Sequence, residues 1–291
     1  MNVYLDCLPC MLRQVLEASR MATESLALQD DIIKEAVSVL GGYRMYQSSP
    51  EVARVLHRIV KNHTGISDPY KDIKRKHIDM ALGLYPRLRQ FLWDKQDQLF
   101  WGLKLAAIGN VIDSAIGTKV DIKRSIEYEL NRDFAICDIN HLESRLKHAE
   151  TLLIIGDNAG ETVFDRLLIE TLKKIDIIYA VRSAPVLSDT TLGDALASGL
   201  GECCTVISTG CDVPGVILEE YSDEFLNVFY GADIVISKGQ GNYETLFECG
   251  REIYFLLKAK CQVLSGLLGV PVGDFVFKHK NKEDSGTIDA C

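Results

Sequence analysis

The segment Ile154-Ile155-Gly156-Asp157-Asn158-Ala159-Gly160-Glu161 carries the densest chemistry in the chain. An apolar run ends there in acid, amide, glycine and acid, and a helical pattern follows. That order predicts a buried strand, a tight loop and a helix. Asp157, Asn158 and Glu161 are hard oxygen donors, and such donors on a short loop suit Mg²⁺ or Mn²⁺ and phosphate chemistry. A plainer role stands beside this one: an Asp or Asn after a strand also caps a helix by accepting from its first free amides.

The elements that must position these residues follow from periodicity. After residue 150, strands are predicted over 151–156, 176–182, 205–208, 233–237 and 253–257. They alternate with helices over 162–174 and near 191–198, 223–230 and 243–250. Continuous apolar strands alternating with helices predict a parallel sheet covered on both faces. Residues 1–135 read as successive helices, with Leu8, Leu12, Val15 and Leu16, then Ile32, Ile33, Ala36, Val37 and Leu40, at helical spacing. Breaks are expected at Gly41-Gly42, Ser48-Ser49-Pro50, 65–69 and Pro86, with Pro50 in the first turn of a helix. The fold class expected is α/β. A helical N-terminal subdomain, residues 1–135, packs on a doubly wound, Rossmann-like α/β/α sandwich with a mainly parallel sheet, residues 136–280. A polar tail, 281–291, is expected to fray.

In an open parallel sheet, ligands bind beyond the carboxyl ends of the strands. The five predicted strand ends deliver Asp157-Asn158, Arg182 followed by Asp189, Ser208-Thr209-Gly210, the loop Lys238 to Glu244, and Lys258. Asp157, Asn158 and Asp189 can together hold one hard divalent cation. Lys238 and Lys258 offer positive charge to a phosphoryl group, Ser208 and Thr209 offer hydroxyls, and glycines such as Gly210 allow close backbone approach to an anion. Each has a bland alternative: Asp189 as a helix cap, Ser208-Thr209-Gly210 as a turn, Lys238 as a solvated strand-end lysine. Five polar ends on one rim favour a site there. On the helical side, Asn110 and Asp113 end an apolar helix, where Asn also serves as a stop signal.

Bulk properties narrow the classes. The 291 residues are 47% hydrophobic and carry a formal net charge of −9, which argues against a nucleic-acid coat. No run reaches the ~18 apolar residues of a membrane span. Asp6 and the lack of a basic start argue against a secretory signal, so a cytoplasmic protein is expected. Nine cysteines form no regular disulfide framework. Cys137, Cys203, Cys204, Cys249 and Cys261 read as buried small hydrophobes. Cys7-Leu8-Pro9-Cys10 is at most half a zinc site, and its first cysteine is expected to be somewhat acidic at a helix start. The six histidines are scattered and none has metal-ligand spacing.

Several motifs in order resemble the metal-dependent damage-control phosphatases, a family formerly described only as a domain of unknown function. They are Cys7 to Cys10, Gly109-Asn110-Val111-Ile112-Asp113, Gly156 to Glu161, Arg182 with Pro185-Val186 and Asp189, Ser208-Thr209-Gly210, Lys238 to Glu244, and Lys258-Ala259-Lys260-Cys261. The CxxC and compact length are similar to the stand-alone prokaryotic branch. The resemblance implies hydrolysis of small phosphorylated metabolites with one divalent metal ion (Mg, Mn, Co or Ni). Its metal ligands would be Asp157, Asn158 and Asp189. Asn242 and Lys258 would contact substrate or phosphate, and Asn110 and Asp113 would line the site. The chain departs at Ser183, where many relatives have glycine, and at Thr190, where alanine is usual; the metal ligands are untouched. Glu161 then reads as a supporting residue rather than a ligand.

The reaction implied is attack by an oriented water, or by Asp157 or Asp189 as nucleophile. A haloacid-dehalogenase-type phosphatase would need an aspartate at Ala159. A dinucleotide-binding oxidoreductase would need a Gly-x-Gly-x-x-Gly loop after the first strand, which is missing. An S-adenosylmethionine-dependent carboxyl methyltransferase and a non-enzymatic metal- or metabolite-binding protein are the remaining alternatives.

Overall fold

A computed structural model describes residues 1–110, 122–172 and 174–282. Asp113 and the tail beyond 282 lie outside the described residues. Among the described residues, seven strands form one sheet in the order β1-β7-β6-β5-β2-β3-β4. They are β1 (Ile136–Cys137), β2 (Thr151–Ile155), β3 (Asp176–Val181), β4 (Thr205–Ser208), β5 (Ile234–Lys238), β6 (Ile253–Lys258) and β7 (Phe275–Lys280). β6, β5, β2, β3 and β4 run parallel, and β7 pairs antiparallel with β6. The five predicted strands are all present. The short β1 and the returning β7 were not anticipated.

Side chains alternate along each strand between two cores, as a sheet buried on both faces requires. Leu152, Ile154, Ile234, Ile236, Tyr254 and Leu256 join one apolar cluster; Leu153, Ile155, Val235, Phe255 and Leu257 join the other. The first cluster takes in helices α4 (Lys71–Trp93), α5 (Gln98–Ile108) and the helix Thr162–Thr171. The second takes in helices Asp223–Gly231, Gln240–Leu246 and Gln262–Leu268. Helices α1 (Cys7–Ala22), α2 (Leu26–Gly41) and α3 (Ser49–Thr64) bury their apolar faces on one another. α3 starts with Pro50 in its first turn and stops at Gly65, whose φ of 71° is the left-handed cap that glycine permits.

Two local expectations are corrected. Pro86 does not end a helix, because α4 runs through it. An interior proline costs about 3 kcal/mol, but burial of Ile78, Ala81, Leu88 and Leu92 on the same helix outweighs it. Cys137 is exposed on the edge strand β1 rather than buried.

The chain leaves β2 toward β3 and β4 on one side, then crosses back to β5 and β6 on the other. The point where β2 and β5 diverge is therefore the topological switch, the usual ligand crevice of such sheets. Ile155 lies opposite Ser237, so Gly156 and Lys238 leave the sheet side by side.

His57 of α3 is 2% exposed, and its Nε2 accepts or donates no hydrogen bond among the described residues. Burial, with a smaller push from Lys61, lowers its pKa from 6.5 to about 3. Above pH 6.5 the ring is neutral in both folded and unfolded chains. As pH falls from 6.5 toward 3 only the unfolded chain takes up the proton, so stability drops by up to about 1.4 kcal/mol per pH unit. In His57→Leu this share of the acid sensitivity should vanish. Urea unfolding of both proteins at neutral and mildly acidic pH checks it; equal losses on acidification would disprove the assignment.

Candidate functional site

Two loops meet at the switch point. The backbone of 157–159 pairs antiparallel with 188–190: Thr190 N donates to Asp157 O at 2.8 Å and Ala159 N to Ser188 O at 2.9 Å. That bridge sets Asn158 beside Asp189, although 31 positions separate them. Asn158 Nδ2 donates to Asp157 Oδ2 at 3.0 Å and to Glu161 Oε1 at 2.7 Å, while its Oδ1 accepts from Ser188 Oγ at 2.6 Å. The three expected metal ligands thus stand together. Gly239, at φ 84°, closes the crevice behind Asp157; a Cβ there would lie 2.2 Å from the carboxylate.

Beneath these three residues lies a buried ionic layer. Lys238 Nζ donates to Glu161 Oε2 at 2.8 Å, to Asp165 Oδ1 at 2.6 Å and to the Ala106 carbonyl of α5 at 3.1 Å. Tyr179 OH donates to the other oxygen of Asp165 at 2.6 Å. Glu161 Oε1 also accepts from Asn110 Nδ2 at 2.6 Å. Arg182 Nε donates to Asp189 Oδ2 at 2.8 Å, its Nη1 to Gly215 O and its Nη2 to Asn242 Oδ1, both at 2.7 Å. Asn242 Nδ2 donates to Gly156 O and Lys238 O, tying β2 to β5.

Charge in this layer is unevenly matched. Burial, then Glu161 and Asp189, hold the Asp157 carboxyl well above its ordinary range. Burial raises Asp165 to about 6 against the pull of Lys238. Glu161 goes the other way: burial would raise it, but Lys238, Lys260 and the Asn158 hydrogen bond bring it below its usual value. Burial likewise opposes the charge on Lys238, yet Asp165 and Glu161 drive its pKa up.

The structure redistributes several roles read from sequence. Lys238 does not face the rim; its three ammonium protons are used inside the protein, where it orients Glu161. Asn242 is fully buried and acts through Arg182 and the strand-end carbonyls. Ser208, Thr209 and Gly210 form the turn that was their plainer reading. Ser208 Oγ accepts from Gly210 N, Thr209 Oγ1 bonds the Cys211 backbone, and Gly210 at φ 83° abuts Ser222. Lys258 Nζ donates to Glu129 at 2.8 Å. The Cys7 thiol is not acidic: burial pushes it up despite hydrogen bonds from Ser49 and the backbone.

Sequence places Arg182 on the rim without a role and does not single out Asp165 or Tyr179. Asp165 had one signal: it follows Glu161 by four positions, one helical turn on, amid the apolar Val163, Phe164, Leu167 and Leu168. A separate groove lined by Tyr85, Arg89, Trp93, Arg166 and Glu170 contains none of these residues.

Fold and site define a doubly wound α/β protein with a carboxylate–amide centre at its switch point. Comparison with known proteins agrees. Residues 3–276 match the damage-control phosphatase ARMT1-like domain. An uncharacterized protein of Methanocaldococcus jannaschii is 38% identical over 93% of this chain and 93% of its own length. A damage-control phosphatase of Pyrococcus horikoshii is 36% identical over 95% of this chain and 97% of its own. The crystal structure of a DUF89 family protein from Pyrococcus horikoshii superposes with a TM-score of 0.83 at 33% identity, covering 95% of this chain and 98% of that one. The chain belongs to the damage-control phosphatase ARMT1-like family, which supports a phosphatase activity at the family level.

Removing Lys238 separates its two roles. Lys238→Met would strand Glu161 and Asp165 as buried anions, a loss of about 3–5 kcal/mol. Adding Glu161→Gln and Asp165→Asn should restore much of the stability in urea unfolding. A Lys238→Met protein as stable as the wild type would return Lys238 to the role of a rim cation.

Proposed function

We propose that the chain hydrolyses small phosphate monoesters, sugar phosphates or damaged phosphometabolites, at the Asp157 rim with one divalent ion, Mg²⁺, Mn²⁺, Co²⁺ or Ni²⁺. The observation that carries this is the excess of anionic oxygen there. Asp157, Glu161, Asp165 and Asp189 converge, while the buried bases Lys238 and Arg182 bond only the last three. Burial, and then its anionic neighbours Glu161 and Asp189, favour the protonated form of Asp157. The buried Oδ1 of Asn110 and Oγ1 of Thr190 have no partner among the described residues. A hard dication fits this oxygen-rich set. Asp157, Asn158 and Asp189 would hold it.

When bound, such an ion supplies charge for phosphoryl oxygens and a more acidic water. The chain's own residues hold the frame. Arg182 fixes the rotamer of Asp189, and Asn242 fixes Arg182. Lys238 and Asn110 fix Glu161, which in turn anchors the Asn158 amide. Lys260, just after the end of β6, brings positive charge to the phosphoryl side and already offsets Asp157 and Glu161; Lys258, at the strand end, would join it by leaving its partner Glu129. Small phosphorylated metabolites as substrates are supported by the relatives' name, damage-control phosphatase. Among the described residues no helix is long and apolar enough to cross a membrane.

Stripping the metal and restoring Mg²⁺, Mn²⁺, Co²⁺ or Ni²⁺ in a p-nitrophenyl phosphate assay tests the reading. Turnover should depend on the ion. Asp157→Ala and Asp189→Ala should each lower it at least about a hundredfold. Asp176→Ala, at the exposed opposite end of β3, should leave it unchanged. A phosphorylated aspartate in acid-quenched single turnover marks the aspartate route, and its absence the water route. No metal-dependent turnover, together with S-adenosylmethionine binding, would overturn the proposal.

A further inference from the structure

The antiparallel return of β7 has a chemical consequence at the other end of the sheet. It pairs Tyr254 with His279, so the end of β7 lies against the start of β6. Glu252 directly precedes β6, and His141 projects from the helix Ile139–Leu146 packed beside them. The side-chain ligand atoms of His141, Glu252 and His279 all lie within 4.8 Å of one another. The two imidazoles stack with centroids 3.8 Å apart. His279 Nε2 is 2.9 Å from Glu252 Oε1. β6 is six residues long, which puts this cluster on the order of 16–20 Å from the carboxyl rim.

We infer that His141, Glu252 and His279 form a second metal site, independent of the Asp157 centre and selective for a borderline transition ion such as Zn²⁺. Two imidazole nitrogens and one carboxylate oxygen are a donor set that suits Zn²⁺, Co²⁺, Ni²⁺ or Cu²⁺, whereas Mg²⁺ prefers oxygen alone. Two ligands of one tetrahedral ion stand about 3.4 Å apart at usual Zn–N lengths, so side-chain rotations of an ångström or so close the set.

The surroundings are those of a ligand shell. His141 Nδ1 sits 2.6 Å from Tyr254 OH, whose oxygen can accept a hydrogen bond from Nδ1–H and leave Nε2 to ligate. Asp138 Oδ2 accepts from His279 N at 2.6 Å and pins the strand that carries the ring. Arg145 lies 3.7 Å from Glu252 Oε2, the oxygen that His279 does not use. His141 is exposed and the other two are half-buried, so an ion has open access. An ion here would clip the helix Ile139–Leu146 and both strands of the antiparallel edge together.

Equilibrium dialysis of the whole chain against micromolar Zn²⁺ in excess Mg²⁺ tests this, with melting temperature as a second readout. His141→Gln/His279→Gln should bind one equivalent fewer than the wild type, and Zn²⁺ should raise the melting temperature of the wild type but not of the variant. The cysteines are the same in both proteins, so zinc held by thiols cancels. Glu252→Gln, which keeps a hydrogen-bonding side chain, should weaken the same equivalent at least tenfold. Equal zinc content in the wild type and the double variant, or no zinc-dependent rise in wild-type melting temperature, would overturn the inference.

Discussion

The structure around the switch point depends on one buried ammonium. Lys238 lies between Glu161 and Asp165 with its side chain 2% exposed, and the two carboxylates are equally enclosed. In so dry a place an unpaired charge costs several kcal/mol, so the three groups stand or fall together. Their fixed geometry passes outward. Glu161 holds Asn110 and Asn158, and Asn158 contacts Asp157. The protein thus sets the position of its outermost carboxylate through a chain of hydrogen bonds anchored in the core.

Arg182 performs the parallel task on the other loop. Its guanidinium donates to Asp189, Gly215 and Asn242. Asn242 in turn donates to the carbonyls at the ends of β2 and β5. The strands cannot shift at the crevice without breaking these bonds, which makes the donor set rigid before anything binds. Such preorganisation is what an electrostatic catalyst requires. The helical layer takes part as well, since Lys238 bonds the Ala106 carbonyl and Asn110 follows on from the same helix.

The two rims of the sheet differ in chemistry for a topological reason. Parallel strands deliver all their carboxyl ends to one side, where acids and amides collect. β7 and its short parallel partner β1 run the other way, and β7 delivers its end to the opposite side, where His279 meets His141 and Glu252. A hard oxygen centre and an imidazole cluster therefore sit on one sheet without sharing a residue.

Sequence periodicity determined a good deal by itself: the five parallel strands, the helices between them, and the rim on which Asp157, Asn158 and Asp189 converge. These follow from local patterns, because an apolar run that ends in glycine and acid signals a strand end wherever it occurs. Tertiary structure alone decided which way the rim residues face. Lys238 read as a cation for phosphate and turned inward, because its partners Glu161 and Asp165 lie 77 and 73 positions away and a lysine at a strand end carries no mark of what it will meet. Ser208 to Gly210 became a turn, and Pro86 stayed within a helix because burial of the surrounding face outweighed the lost backbone bond. His141 and His279, unremarkable in sequence, became neighbours only because β7 runs back along β6. Proximity across a sheet is set by strand order and direction, and neither is written in the spacing of residues along the chain.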